Sequence, residues 1–156
     1  LVALGQPGVA LLVLLFGTLA DTLDGQIARL SGGGTRLGAF LDSTFDRLSD
    51  AALSVAALIA AVTHGDSLLF FSAIVALVAG SLVPYVRAKA ESLGLTASVG
   101  LAPREARLVL MVLGIGAWAA TGSLSLFAAA VAVVALLATI TAAQRIAHVA
   151  RALRNT

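Results

Sequence analysis

The chain has 156 residues, of which 60% are hydrophobic and 12% charged, and its mean hydropathy is +1.03. A water-soluble domain is nearer half apolar and a quarter charged, so the composition excludes one and points to a single integral membrane domain over 1–156. Cysteine is absent, which excludes disulfides and thiolate chemistry, and a net charge of +2 gives no reason to expect a nucleic-acid partner.

Apolar runs long enough to cross a bilayer predict five helical spans, at 7–29, 37–62, 67–90, 105–121 and 124–146. They are too long, and too uniformly apolar, for barrel strands. The expected fold is therefore all-α, a polytopic transmembrane helical bundle. Ser31–Thr35, Thr63–Asp66, Ser92–Pro103 and Thr121–Ser123 hold the glycines, serines and proline of turns. The chain opens on Leu1 with no charged leader region, so its apolar start reads as the remainder of a longer N-terminus rather than as a signal peptide. Trp118 and Tyr85 suit interfacial belts, and His64 falls at the opposite boundary from most charges.

The ten Lys and Arg residues all lie at or near the first loop, the third loop or the C-terminal tail. Alternating spans put those three segments on one side of the membrane. The positive-inside rule makes that side cytoplasmic, and the expected location is the plasma membrane.

The first span ends, and the second begins, in acids. Asp21, Asp24, Asp42 and Asp46 fall within 26 residues, in the order Asp-x-x-Asp-Gly-x-x-Ala-Arg, eight residues, Gly-x-x-x-Asp-x-x-x-Asp. Acids three or four apart share a helical face, and Gly32, Gly33 and Gly34 allow the two helices to turn back on each other. Carboxylates at a membrane edge are costly unless a cation offsets them. Four converging at one depth describe a site for a hard divalent ion, Mg2+ or Mn2+. Asp50 continues the stripe one turn further and is a candidate to support it.

This motif resembles, at every position, the signature of the CDP-alcohol phosphotransferase family. The resemblance implies an enzyme that moves a phosphatidyl group from CDP-diacylglycerol to an alcohol, releasing CMP, with two metal ions. It implies Asp21, Asp24, Asp42 and Asp46 as metal ligands, Asp46 also as general base, and Gly25, Arg29 and Thr35 as contacts to the CDP part of the donor. It further implies six spans in an intact member, one more than is visible here, and a homodimer. The assigned chemistry is sound in itself: metals neutralise a diphosphate, a carboxylate takes the acceptor proton, and an Arg fork fits phosphate.

Tyr85-x-Arg87-Ala-Lys89-Ala-Glu91, the run Gly-Gly-Gly-Thr-Arg-x-Gly-Ala, and Asp42-x-x-x-Asp46-Arg47-x-x-Asp50 look like the actinobacterial phosphatidylinositol phosphate synthases within that family. By that likeness Arg87, Lys89, Arg104 and Arg107 hold the phosphate of a polyol phosphate acceptor, inositol phosphate. Glycerol phosphate is the alternative acceptor. The reading from another class is an aspartate-lined transporter, but its ionisable groups belong near the bilayer midplane rather than at one face.

Overall fold

Helix boundaries follow local signals in the chain. The computed structural model describes residues 2, 5–16 and 35–154. Helix α1 spans Pro7–Phe16, α2 Arg36–His64, α3 Ser67–Ser92, α4 Arg104–Thr121 and α5 Leu124–Arg154, and no strand occurs among the described residues. Asp21, Asp24, Gly25, Arg29 and the triple glycine lie outside the described residues.

Thr35 starts α2: its Oγ1 accepts the Gly38 N–H at 3.0 Å, supplying one of the partners that a first turn lacks. Gly65 ends α2 in the left-handed region (φ 67°), and the next residue, Asp66, caps α3 by accepting the Leu69 N–H at 2.8 Å. Two residues thus reverse the chain. Gly122 (φ 73°) closes α4 in the same way, with its N–H on the Trp118 carbonyl. His64 meets Trp118 edge-on at 5.8 Å between ring centroids, so the α2–α3 and α4–α5 turns share one end of the bundle.

The sequence places α2, α3 and α4 within a few residues, and the expected span 7–29 begins where α1 does, its residues beyond Phe16 lying outside the described residues. Two differences stand out. Helix α5 runs eight residues past its expected end because Ala147–Arg154 consists largely of strong helix formers. At 31 residues it is about 46 Å long against a hydrocarbon thickness of about 30 Å, so its basic end projects. Trp118 is buried, stacked on Phe127 at 5.8 Å, rather than standing in an interfacial belt. It faces α5, and an aromatic ring on that face fills the core.

Helices α3 and α5 are each long and apolar enough to cross a membrane, whereas α2 and α4 carry charges in their first turns. The interior is built from small residues: Ala57, Ala60, Ala61, Ala73, Ala76, Ala128 and Ala135 pack around Leu69, Ile115, Phe127 and Val131. Between helices in lipid, association rests on close van der Waals approach, which small residues permit. Gly114 shows how close: a Cβ there would lie 2.5 Å from the Ala130 Cβ. Larger apolar side chains such as Phe71, Val78, Leu113 and Leu136 point outward, as in a protein whose surroundings are themselves apolar.

Candidate functional site

Asp42, Asp46 and Asp50 follow one another at single-turn intervals along the first half of α2. The motif glycine at 38 has a local reason, because a Cβ there would press on the capping Thr35 Oγ1 at 3.2 Å. Asp42 is exposed and forms no ion pair among the described residues. Asp46 is engaged: its Oδ1 accepts from Arg104 Nη1 at 2.8 Å, and its Oδ2 lies 3.7 Å from Arg47 Nη2. Arg104 also donates from Nε to Asp50 Oδ1 at 3.1 Å. Its guanidinium therefore bridges two turns of α2.

Arg104 and Arg107 occupy the first turn of α4. A cation is unfavourable there, since the helix dipole presents positive charge at that end. Glu105 offsets it only in part, so helix stability does not explain the two arginines. A cavity of about 350 Å³ does. Ser43, Arg47 and Asp50 of α2, Ser81 and Tyr85 of α3, and Arg104 and Arg107 of α4 line its polar side, while Leu77, Met111 and Val134 close it towards the membrane interior. Arg107 is 8% exposed and lies against Gly80, where a Cβ would come 3.6 Å from its Nη1. The Nε atoms of Arg47 and Arg107 are buried with no hydrogen-bond partner among the described residues. Buried guanidinium donors at a cavity wall are chemically suited to an anion.

The segment leading into α4 is fastened along α5. Thr141 Oγ1 accepts the Ala102 N–H at 3.2 Å, Gln144 Oε1 accepts the Leu101 N–H at 2.9 Å, and Arg145 donates to the Val99 and Val83 carbonyls, both at 2.9 Å. Gly100 (φ 146°) passes so near Thr141 that a Cβ would stand 2.5 Å from its Cγ2. These contacts fix where α4 begins, and so where Arg104 and Arg107 stand.

Comparison with known proteins identifies the family. The pattern defining the CDP-alcohol phosphatidyltransferases matches residues 1–151. The chain belongs to that family. As a CDP-alcohol phosphatidyltransferase family member, it is 40% identical over 114 residues to the phosphatidylinositol phosphate synthase of Mycolicibacterium smegmatis, covering 72% of this chain and 51% of that protein. It is 46% identical over 105 residues to the Cutibacterium acnes protein of the same name, covering 67% of this chain and 50% of that protein. The chain spans about half the length of the curated relatives it matches. The crystal structure of the Mycobacterium tuberculosis phosphatidylinositol phosphate synthase with CDP-DAG bound superposes with a TM-score of 0.88 at 33% identity, over 96% of this chain and 76% of that one. The same protein in complex with manganese and citrate gives a TM-score of 0.87 at 32% identity, over 96% and 73% of the two chains.

Of the residues put forward from sequence, the fold brings Asp46, Arg104 and Arg107 together, with Asp42 one turn away on the same helix. Arg87 and Lys89 do not line the cavity: both are exposed on α3, and Arg87 pairs with Glu91 at 2.9 Å. Arg47 was missed as a site residue. It follows Asp46 directly, and only the packing of α4 shows that its guanidinium enters the cavity.

Proposed function

We propose that this chain carries the catalytic centre of a membrane transferase that moves the phosphatidyl group of CDP-diacylglycerol to a phosphorylated polyol, with inositol phosphate as the acceptor. The observation that carries the reading is the junction of two unlike sites: the carboxylate stripe of α2 runs directly into a cavity walled by Arg47, Arg104 and Arg107. A donor diphosphate at the acids and a phosphate in the cavity would bring an acceptor hydroxyl beside Asp46.

Asp42 and Asp46, with Asp21 and Asp24 by their place in the motif, form an all-oxygen donor set that fits Mg2+ or Mn2+. One ion or two, when bound, would neutralise the diphosphate and stabilise the departing CMP. The chain's own groups do the rest. Gly25, Arg29 and Thr35 hold the cytidine end of the donor. Arg104 and Arg107, with Arg47, bind the acceptor phosphate through charge-assisted hydrogen bonds, and Arg87 and Lys89 draw anions towards the cavity from outside it. Asp46 takes the proton of the acceptor hydroxyl as that hydroxyl's oxygen bonds to the phosphatidyl phosphorus. The bond from that phosphorus to the CMP oxygen breaks, and CMP leaves with its electron pair.

The described Lys and Arg side chains gather at this end of the bundle, which supports a site facing the cytoplasm in the plasma membrane. Family resemblance extends the proposal to a homodimer. An acceptor screen on the intact protein tests it, with CMP release measured for inositol phosphate, glycerol phosphate, inositol and serine. Release with inositol phosphate alone is the expected result. Release with glycerol phosphate alone replaces the acceptor, and no release with any of them rejects the transferase reading.

A further inference from the structure

Asp46 is asked to bind a cation and to accept a proton, yet its two oxygens already face guanidinium groups. Oδ1 is held by Arg104 at 2.8 Å, and Oδ2 looks towards Arg47 at 3.7 Å. A divalent ion approaching either oxygen meets a positive charge first. The contact to Arg47 is too long for a hydrogen bond and yields easily, whereas the contact to Arg104 is a short charge-assisted bond. Arg104 has a second hold, its Nε on Asp50 Oδ1 at 3.1 Å, and both Arg104 and Asp50 line the cavity. A guanidinium released from the Asp46 carboxylate stays tethered at Asp50 Oδ1, and at 3.5 Å by the Asp46 carbonyl, and it borders the cavity where the Arg47 and Arg107 Nε atoms have no hydrogen-bond partner among the described residues.

We propose that Arg104 is an exchangeable counter-ion, neutralising Asp46 while the metal is absent and being handed to the acceptor cavity when the metal binds, so that metal and acceptor phosphate bind cooperatively through this one side chain. The inference rests on the proposed function and adds an order to it: the phosphate pocket is completed only after the acidic site has filled. The device has a physical use. Without it the acids would be uncompensated at a membrane edge whenever the metal was absent, and the empty cavity would hold three facing cations at full strength. Sharing one guanidinium between the two sites relieves both. It also keeps inositol phosphate from occupying a site that is not ready to react.

The coupling is reciprocal, so it can be measured from either side. Mn2+ binding to the intact protein in detergent is followed by the electron paramagnetic resonance signal of free Mn2+, without donor. Arg104→Gln is expected to bind Mn2+ roughly three- to tenfold tighter than wild type, the size of one partly solvated charge-assisted bond. Arg104→Lys keeps the charge but loses the two-pronged grip, and is expected to fall between the two. A mere field effect would leave it at the wild-type value. Inositol phosphate binding is then measured by calorimetry with and without Mn2+. In wild type the ion should strengthen it by about the same factor, and in Arg104→Gln that dependence should disappear.

Unchanged or weaker Mn2+ binding by Arg104→Gln, or a Mn2+ dependence of inositol phosphate binding that survives in it, overturns the inference. If the Gln variant does not fold, the Lys variant decides alone, with wild-type Mn2+ affinity as the overturning result. CMP release by wild type keeps the two readings apart. Turnover together with an indifferent Arg104 rejects the counter-ion exchange only, whereas absence of both turnover and Mn2+ binding rejects the proposed function along with it.

Discussion

The two ends of this bundle use polar residues in opposite ways. At the end formed by the α2–α3 and α4–α5 turns, Gly65, Asp66 and Gly122 satisfy helix termini, and each contact is local in sequence. At the other end Asp46, Asp50, Arg104 and Arg107 satisfy no terminus. Arg104 and Arg107 even stand where the α4 dipole disfavours them, and the contacts of Arg104 reach 58 residues along the chain. Capping stabilises the fold, whereas opposed charges gathered around an open volume fit the proposed ligand site. Mutations at the two ends should therefore separate stability from turnover.

The largest separation should come from removing the metal. With excess EDTA, CMP release is expected to vanish, returning with Mg2+ or Mn2+, while helical content by circular dichroism is unaltered. Persistent turnover in chelator would erase the contrast at its root.

Asp46→Asn comes next. The amide keeps the shape but cannot accept the proton, so turnover should fall by about 10²–10⁴-fold with the protein still folded. A variant with near-normal CMP release would mean the proton goes elsewhere.

Arg107→Ala should raise the acceptor KM roughly ten- to a hundredfold with the donor KM little changed, the loss of about 1.5–3 kcal/mol of charge-assisted binding. Its melting temperature is the sharper readout. Because the Arg107 Nε has no hydrogen-bond partner among the described residues, the variant loses packing but no bond at that atom and should melt at most a few degrees below wild type. A drop of many degrees would show that Arg107 is structural after all.

The smallest effect belongs to the opposite end. Asp66→Ala removes the cap on Leu69 and should destabilise the protein by about 0.5–2 kcal/mol, read as a lower melting temperature. Turnover per folded molecule should stay at the wild-type value, and a changed acceptor KM would contradict the division between the ends.

What could be read from sequence follows the range of the interaction. The helical spans, the turns ending at Thr35 and Asp66 and the stripe Asp42–Asp46–Asp50 depend on residues within a turn or two of one another, so spacing alone exposes them. The bridge from Arg104 to Asp46 and Asp50 depends on how α4 lies against α2, and no periodicity carries that. Arg47 and Trp118 mislead for a related reason. Each has a side chain that suits a boundary, and only the neighbouring helix decides that Arg47 points into a cavity and Trp118 into the core. Arg87 and Lys89 look equivalent to Arg104 and Arg107 in a list of cations, yet they differ once Glu91 claims Arg87. The acids at 21 and 24, with Gly25 and Arg29, stand on the motif alone.

The fastening of Val99, Leu101 and Ala102 to Thr141, Gln144 and Arg145 has a consequence for how this scaffold can be recombined. Gly100 fits only against a matching surface on α5, with Thr141 directly beneath it. The connecting segment and the last helix are thus one interchangeable part, although the 18 residues of α4, about five turns, separate them in the chain. A hybrid between two family members that exchanged α5 without residues 95–103 would meet a mismatched seam, and its flaw would surface far from the junction, as the cavity of Arg104 and Arg107 set at the wrong depth.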